Sequence, residues 1–365
     1  MIAPRVEIDL AKIEENTRAL VTRLAKRGIQ VTGVTKATLG SPDIARAMVR
    51  GGVSRLADSR VENLEALQES GIKMPLMLLR APAPEWADRA VACAQMSLVG
   101  DMDVALALAA AAGRRGSPHG IVLMVELGDL REGVMTSNVL DAARVLSRTR
   151  HLTLAGLGTN LACRSGVIPG DEQMLELGAL ANLVASKIGV KELLVSGGNS
   201  ANVRWAFGPG RVGHINDLRI GEAILLGTDP VTRSPIPGLH HDAFTLVGSV
   251  IESLEKPSVP WGSRGHASLG PKPGVRDRGT IIQTIVALGE QDTNPEGLTP
   301  PVGVTVIGSS SDHLILETPT RLVAGTELRF GVDYAGLLRA MTSPFVAERP
   351  LATIAAAGVG DNSLL

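Results

Sequence analysis

A lysine ends an otherwise apolar run in "QVTGVTKATLG" (residues 30–40), where Val31 and Val34 lead to Lys36 and then to a glycine turn. An ammonium placed there is either a solvated strand end or a reactive amine held on a rigid scaffold. Further along, polar residues recur at the ends of short apolar runs. Asp58 and Arg60 follow "SRLAD", Arg80 "MPLMLL", Arg131 "GIVLMVEL", Asn160 "LTLAGLG" and Asn199 with Ser200 "ELLVS", while Arg219 and Gly221 close "NDLRI". One lysine, several arginines and a late glycine and serine cradle suit an anionic ligand that offers the amine a carbonyl. Pyridoxal phosphate has both features, an aldehyde for a lysine and a phosphate for backbone N–H groups and hydroxyls. Each residue also has a plainer reading. Arg60 and Arg80 are then solvated loop charges, and Asn199 and Ser200 cap a helix that begins near Ala201.

For these residues to meet, the elements between them must deliver one end of every apolar run to the same side. After a short strand at residues 5–8, "DLAKIEENTRALVTRLAKRG" spaces Leu10, Ile13, Thr17, Leu20 and Leu24 as a helix, with Asp9 to cap it and Gly28 to end it. Eight apolar runs then alternate with helical segments, and most are apolar throughout, as parallel strands covered on both faces should be. This is the pattern of an α/β (β/α)8 barrel of the TIM type, whose strand ends form one catalytic face. An open doubly wound sheet is the competing fold. No GxGxxG follows the first strand, and the glycines collect late, at "SGGNSAN" and "RIGEAILLG".

The rhythm breaks at "TDPVTRSPIPGLHH", a proline-rich connection, and strand-like runs separated by Gly, Pro and Asp turns follow. The expected organisation is a barrel over residues 9–230, a C-terminal antiparallel β domain over 240–348, and a loose tail over 349–365. Formal net charge is −1 among 365 residues and the aromatic content is 2%, so no basic or stacking platform for nucleic acid is present. A small-molecule partner is expected. Only Cys93 and Cys163 occur, without metal-ligand spacing, which suits a reducing cytoplasm, and no metal site is expected. No apolar run approaches the ~20 residues of a membrane span, and "MIAPRVEIDL" does not read as a signal peptide, so neither export nor insertion is expected.

The segments "VEIDLAKIEENTRAL", "VTKATLG", "LGDLREGV", "SGGNSAN" and "RIGEAILLG" together resemble the fold-type III pyridoxal-phosphate enzymes typified by alanine racemase, most closely their ornithine racemase-like branch. The resemblance covers the chain to about residue 348 and implies that the N-terminal strand, residues 1–8, packs with the C-terminal β domain. It implies a homodimer whose active sites are completed across the interface, and an amino acid racemase that moves protons on both faces of Cα. The expected substrate is ornithine or another basic amino acid, with alanine or a broad range of amino acids as the alternative. Lys36 stands at the position of the cofactor lysine and of one acid–base group. Arg131 matches the arginine near the cofactor hydroxyl and substrate carboxylate, Asn199, Ser200 and Gly221 match the phosphate segments, and Arg219 matches the arginine facing the pyridine nitrogen. Asn160 joins them as a cofactor contact at its strand end.

Two departures concern the β domain. Where the family carries a tyrosine in "GYADG", this chain reads "GEQDT" with Glu290, and the candidates for the opposite face are Tyr334 of "VDYAGLLRAM", which matches a second family tyrosine, Glu290 itself, and Asp312 or His313. Ser311 and Asp312 of "SSSDHLIL" match the segment that meets the substrate carboxylate, and Glu290 joins them as a substrate contact. Leu39 replaces a phosphate-binding tyrosine. Asp58, Glu222, Glu290 and Asp292 fall in or beside these segments and could receive a terminal ammonium, or be surface acids. Two other classes stay open, a non-catalytic pyridoxal-phosphate homeostasis protein and a D-threonine aldolase-like lyase.

Overall fold

The computed structural model describes residues 3–263 and 277–351. The chain divides into two compact units, one of residues 13–242 and one of residues up to 12 together with those from 243 onward. It opens with strand β1 (Arg5–Ile8) of the second unit. The strands β2 (Gln30–Val34), β3 (Arg55–Asp58), β4 (Leu76–Leu78), β5 (Met96–Val99), β6 (His119–Glu126), β7 (Val134–Met135), β8 (Leu152–Gly158), β9 (Leu194–Ser196) and β10 (Asp217–Ile220) build the first unit. Their order around the sheet is β2-β3-β4-β5-β6-β8-β9-β10, all neighbours parallel, and β10 pairs back onto β2. That closes an eight-stranded parallel barrel, with the short β7 attached to the edge of β6. All the apolar runs expected to form barrel strands do so.

Closure follows from the sequence pattern. β6 is buried along its whole length, which only a strand covered by helices outside and packed inside can be. Val34, Ala57, Met77, Leu98, Val122 and Met124, from five neighbouring strands, form one cluster in the barrel. Asp9 Oδ1 accepts from the N–H groups of Ala11 and Lys12 at 3.1 Å each and caps the helix Leu10–Ala25. The proline-rich segment after Asp229 is structured and stays with the barrel unit. Thr228 bridges Pro235, Ile236 N–H donates to Gly227 O at 2.8 Å, and His240 N–H donates to Asn16 Oδ1 at 2.7 Å.

In the second unit the remaining strands are β11 (Phe244–Pro257), β12 (Thr280–Val286), β13 (Leu298–Thr299), β14 (Thr305–Ser309), β15 (Leu314–Glu317), β16 (Glu327–Val332) and β17 (Ala347–Pro350). They form an antiparallel sheet in the order β13-β16-β11-β12-β15-β14, to which β1 adds antiparallel to β11 and parallel to β17. Residues 349 and 350 of the expected tail are strand, since Arg349 and Pro350 lie opposite Glu7 and Ile8 in that ladder. The rest of the expected tail, from residue 352, lies outside the described residues. Among the described residues, no helix is long and apolar enough to cross a membrane.

Candidate active site

Lys36 leaves the C-terminal end of β2 on a 3-10 turn and is exposed. Its ammonium makes no hydrogen bond or ion pair with a described residue. The turn beneath it is tightly held. Thr35 O accepts from Thr38 N–H at 2.9 Å and Gly40 N–H at 3.3 Å, and Thr35 Oγ1 donates to Asp58 Oδ2 at 2.7 Å. Asp58 is wholly buried, takes further bonds from Arg60 N–H at 3.0 Å and Asn63 Nδ2 at 2.9 Å, and is pushed up by burial against those donors. It is therefore a brace for the lysine turn rather than an open receiver for a substrate ammonium. Leu39, which follows, adopts φ 49°, a left-handed backbone that a leucine rarely takes.

Next to this turn the strand ends collect polar groups as the barrel geometry requires. Arg219 is 4% exposed. Nη2 donates to Thr159 O at 2.6 Å and Nη1 to Ser196 O at 3.4 Å and to Ser196 Oγ, while Nε makes no bond to a described residue. Asn160 is buried and accepts from Asn199 Nδ2 at 3.1 Å through Oδ1, yet its own Nδ2 has no partner. Asn199 caps the following turn, with Oδ1 accepting from Ala201 N–H at 2.8 Å, and also donates to Leu161 O at 2.8 Å. Ser200 Oγ accepts from Gly221 N–H at 3.3 Å and Ala223 N–H at 3.1 Å, which leaves its hydroxyl hydrogen to donate. The capping reading of Asn199 holds, and it leaves the Ser200 hydroxyl hydrogen uncommitted.

Two carboxylates invisible as site residues shape the adjoining loops. Glu126 Oε1 accepts from Gly128 N–H at 2.6 Å and Leu130 N–H at 2.9 Å, and Oε2 from Arg131 N–H at 3.2 Å. Arg131 is exposed and its guanidinium pairs with Glu132. Asp129 is buried and accepts from the amides of Cys163, Arg164 and Ser165 at 2.9 to 3.2 Å. Burial acts to raise its carboxyl, but those amides outweigh it and hold it below the ordinary range. Asp129 so ties the Arg131 loop to the loop that follows Asn160.

In the second unit, the segments bearing Glu290 and Asp312 lie side by side. Glu290 N–H donates to Ser310 O and Gln291 N–H to Ser311 O, both at 3.0 Å. A Cβ on Gly289 would stand 2.3 Å from Asp312 N and from Ser311 O, so only glycine permits this approach. Glu290 is not an open carboxylate. Oε1 accepts from Ser309 Oγ at 2.9 Å and Oε2 from Arg339 Nη1 at 2.8 Å. Tyr334 is half-buried at the start of the helix Tyr334–Thr342, on which Arg339 also lies, and Asp333 caps that helix through Gly336 N–H at 2.8 Å. Ser311 and Asp312 are exposed, and the Asp312 carboxyl is held low by the His313 imidazole 2.8 Å away. Among the described residues, no three His, Cys, Asp or Glu side chains converge as metal ligands.

Residues 8–229 match the model of the alanine racemase N-terminal domain. The chain belongs to the alanine racemase family. It is 38% identical to a lysine racemase of Thermotoga maritima over 95% of this chain and 98% of the relative. An ornithine racemase of Acetoanaerobium sticklandii is 31% identical over 95% of this chain and 99% of its own. An alanine racemase from Streptomyces coelicolor shares the fold, with a TM-score of 0.74 at 20% identity over 96% of this chain and 98% of that one. This family member is thus an isomerase of the racemase class.

Sequence reasoning missed several residues that hold candidate residues in place within each unit. Ser196 and Asp217 escaped because neither stands at the mouth, although Asp217 shares the inward face of β10 with Arg219 by simple alternation. Arg339 carried no signal at all, since an arginine within a helix is ordinarily a solvated charge. Arg60 and Arg80 are exposed, as their plainer reading holds.

Proposed function

We propose that this racemase holds pyridoxal phosphate on Lys36 and inverts the α-carbon of a basic amino acid, ornithine or lysine. The observation that carries the reading is Lys36 itself, an amine without a partner among the described residues, at the end of an inner strand whose turn is braced from below. The donor set fits such a cofactor. Asn160 Nδ2 is an orphaned buried donor, Arg219 keeps an unspent Nε–H, and the Ser200 hydroxyl, held by the Gly221 and Ala223 amides, keeps its hydrogen to give to a phosphate. Asn199 holds Asn160 in place. When bound, the cofactor supplies the electron sink that makes the Cα proton acidic.

The chain's own residues do the rest. Lys36 takes or returns a proton on one face of Cα, and Tyr334, whose phenol can both give and take a proton, serves the other. Arg131 receives the substrate carboxylate by exchanging partners with Glu132, and Ser311 and Asp312 complete the substrate contacts, Glu290 being held by Ser309 and Arg339. The two faces are served within a cytoplasmic homodimer that completes each site across its interface. The names of the relatives, a lysine and an ornithine racemase, support the basic side chain.

Chiral chromatography of protein incubated with pyridoxal phosphate and separate L-ornithine, L-lysine, L-alanine and L-serine tests this directly. The D-enantiomer should appear first from ornithine or lysine, and Lys36→Ala should lose both turnover and the bound-cofactor absorbance. An unchanged absorbance in Lys36→Ala, or turnover of alanine alone, overturns the corresponding part of the reading.

A further inference from the structure

Arg219 is a buried cation that no carboxylate touches among the described residues. Isolated guanidinium groups are costly to bury, so a compensating charge is expected nearby. It lies one hydroxyl away. Arg219 Nη1 donates to Ser196 Oγ, and Ser196 Oγ donates to Asp217 Oδ2. Asp217 is wholly buried, and its other oxygen accepts from Thr32 Oγ1 at 2.6 Å and Arg55 Nη1 at 2.8 Å. The barrel register makes this possible. Asp217 and Arg219 share one face of β10, and Ser196, the last residue of β9, pairs directly with Asp217. Burial draws the guanidinium below its ordinary proton affinity, and the Asp217 charge acts against that.

Building on the racemase reading above, we infer that Ser196 and Asp217 are positioning residues, the Ser196 hydroxyl transmitting the Asp217 charge to Arg219 and fixing the guanidinium that would face the cofactor ring. The hydroxyl has one hydrogen to give, and with Asp217 as its acceptor its lone pairs are oriented toward Arg219. A guanidinium that stays charged and fixed keeps a proton off a ring nitrogen placed against it. An unprotonated ring is the weaker electron sink, which favours proton return at Cα over amino transfer to the cofactor. Ser196 and Asp217 therefore select the reaction outcome without touching the substrate.

The test compares holoenzyme and apoprotein of wild type, Ser196→Ala, Ser196→Thr and Asp217→Asn. Ser196→Ala keeps the backbone acceptors Ser196 O and Thr159 O and removes only the relay. It should weaken pyridoxal-phosphate uptake by apoprotein about tenfold, the usual scale for one hydrogen bond to a charged group. It should also raise the pyridoxamine phosphate formed per racemisation event. Asp217→Asn should shift both quantities the same way, and Ser196→Thr should restore them. A merely loosened fold would lower both reactions together and leave their ratio alone. Wild-type affinity and ratio in Ser196→Ala and Asp217→Asn overturn the inference while the racemase reading stands. A wild-type protein that takes up no pyridoxal phosphate overturns that reading, and this inference with it.

Discussion

Acidification should destabilise the barrel through one histidine. His119 at the start of β6 is 1% exposed, and its Nε2 lies 2.9 Å from the buried Ser97 Oγ on β5. Burial lowers its pKa from 6.5 to about 4. The unfolded chain takes up a proton near the ordinary value, whereas the folded barrel refuses it until much lower pH. Stability from this residue is therefore complete above pH 6.5 and is lost as pH falls from there toward 4. At about 1.36 kcal/mol per decade of proton affinity, the gap corresponds to roughly 3 kcal/mol. Urea unfolding followed by tryptophan fluorescence measures it. A Trp261→Phe background leaves Trp86 and Trp205, both in the barrel unit, as reporters. Replacing His119 with Gln lowers stability at neutral pH but removes the proton-linked part. Between about pH 7.5 and about pH 4.5 the parent should lose roughly 2 to 3 kcal/mol more than His119→Gln, other carboxylates cancelling in the difference. Equal losses in the two proteins would refute the reasoning, because a histidine that charges freely in the fold has no such linkage.

Two further predictions concern the second unit. Glu7 is 4% exposed and accepts from Arg329, from Arg5 Nη2 at 2.9 Å and from Arg349 Nη1 at 3.1 Å, which fastens β1 to the sheet. The Arg329 bond first, against burial, and then the Arg5 bond hold its carboxyl below the ordinary 4.5. Glu7→Gln should cost about 3 kcal/mol near neutrality by leaving arginines without their charge. A depressed carboxyl contributes above its ordinary pKa, so the deficit should shrink as pH falls below 4.5. A pH-independent deficit in denaturant titrations would contradict the ion-pair explanation. Gly289→Ala must push apart the segments bearing Glu290 and Asp312, at about 2 kcal/mol. Amide hydrogen exchange across residues 289–293 and 310–313 should accelerate, and an unchanged pattern would mean the Cβ is accommodated.

The sequence by itself determined the architecture because parallel barrel strands are buried on both faces and so read as continuous apolar runs between amphipathic helices. It also marked the mouth, since in a barrel the residue after each strand is brought to one side whatever the loops do. Lys36, Asn160, Asn199, Ser200, Arg219 and Gly221 were legible for that reason. Tertiary structure decided which of these groups remain open. Asp58 looked like a receiver for a substrate ammonium until its donors from Thr35, Arg60 and Asn63 were seen. Glu290 looked like a stand-in for a tyrosine until Arg339, far along the chain, proved to hold it. The Arg219–Ser196–Asp217 chain depends on the stagger of β9 against β10, a register that no residue pattern encodes. Hydrogen bonds between distant segments are set by register and packing, and a linear pattern records only which groups are available to form them.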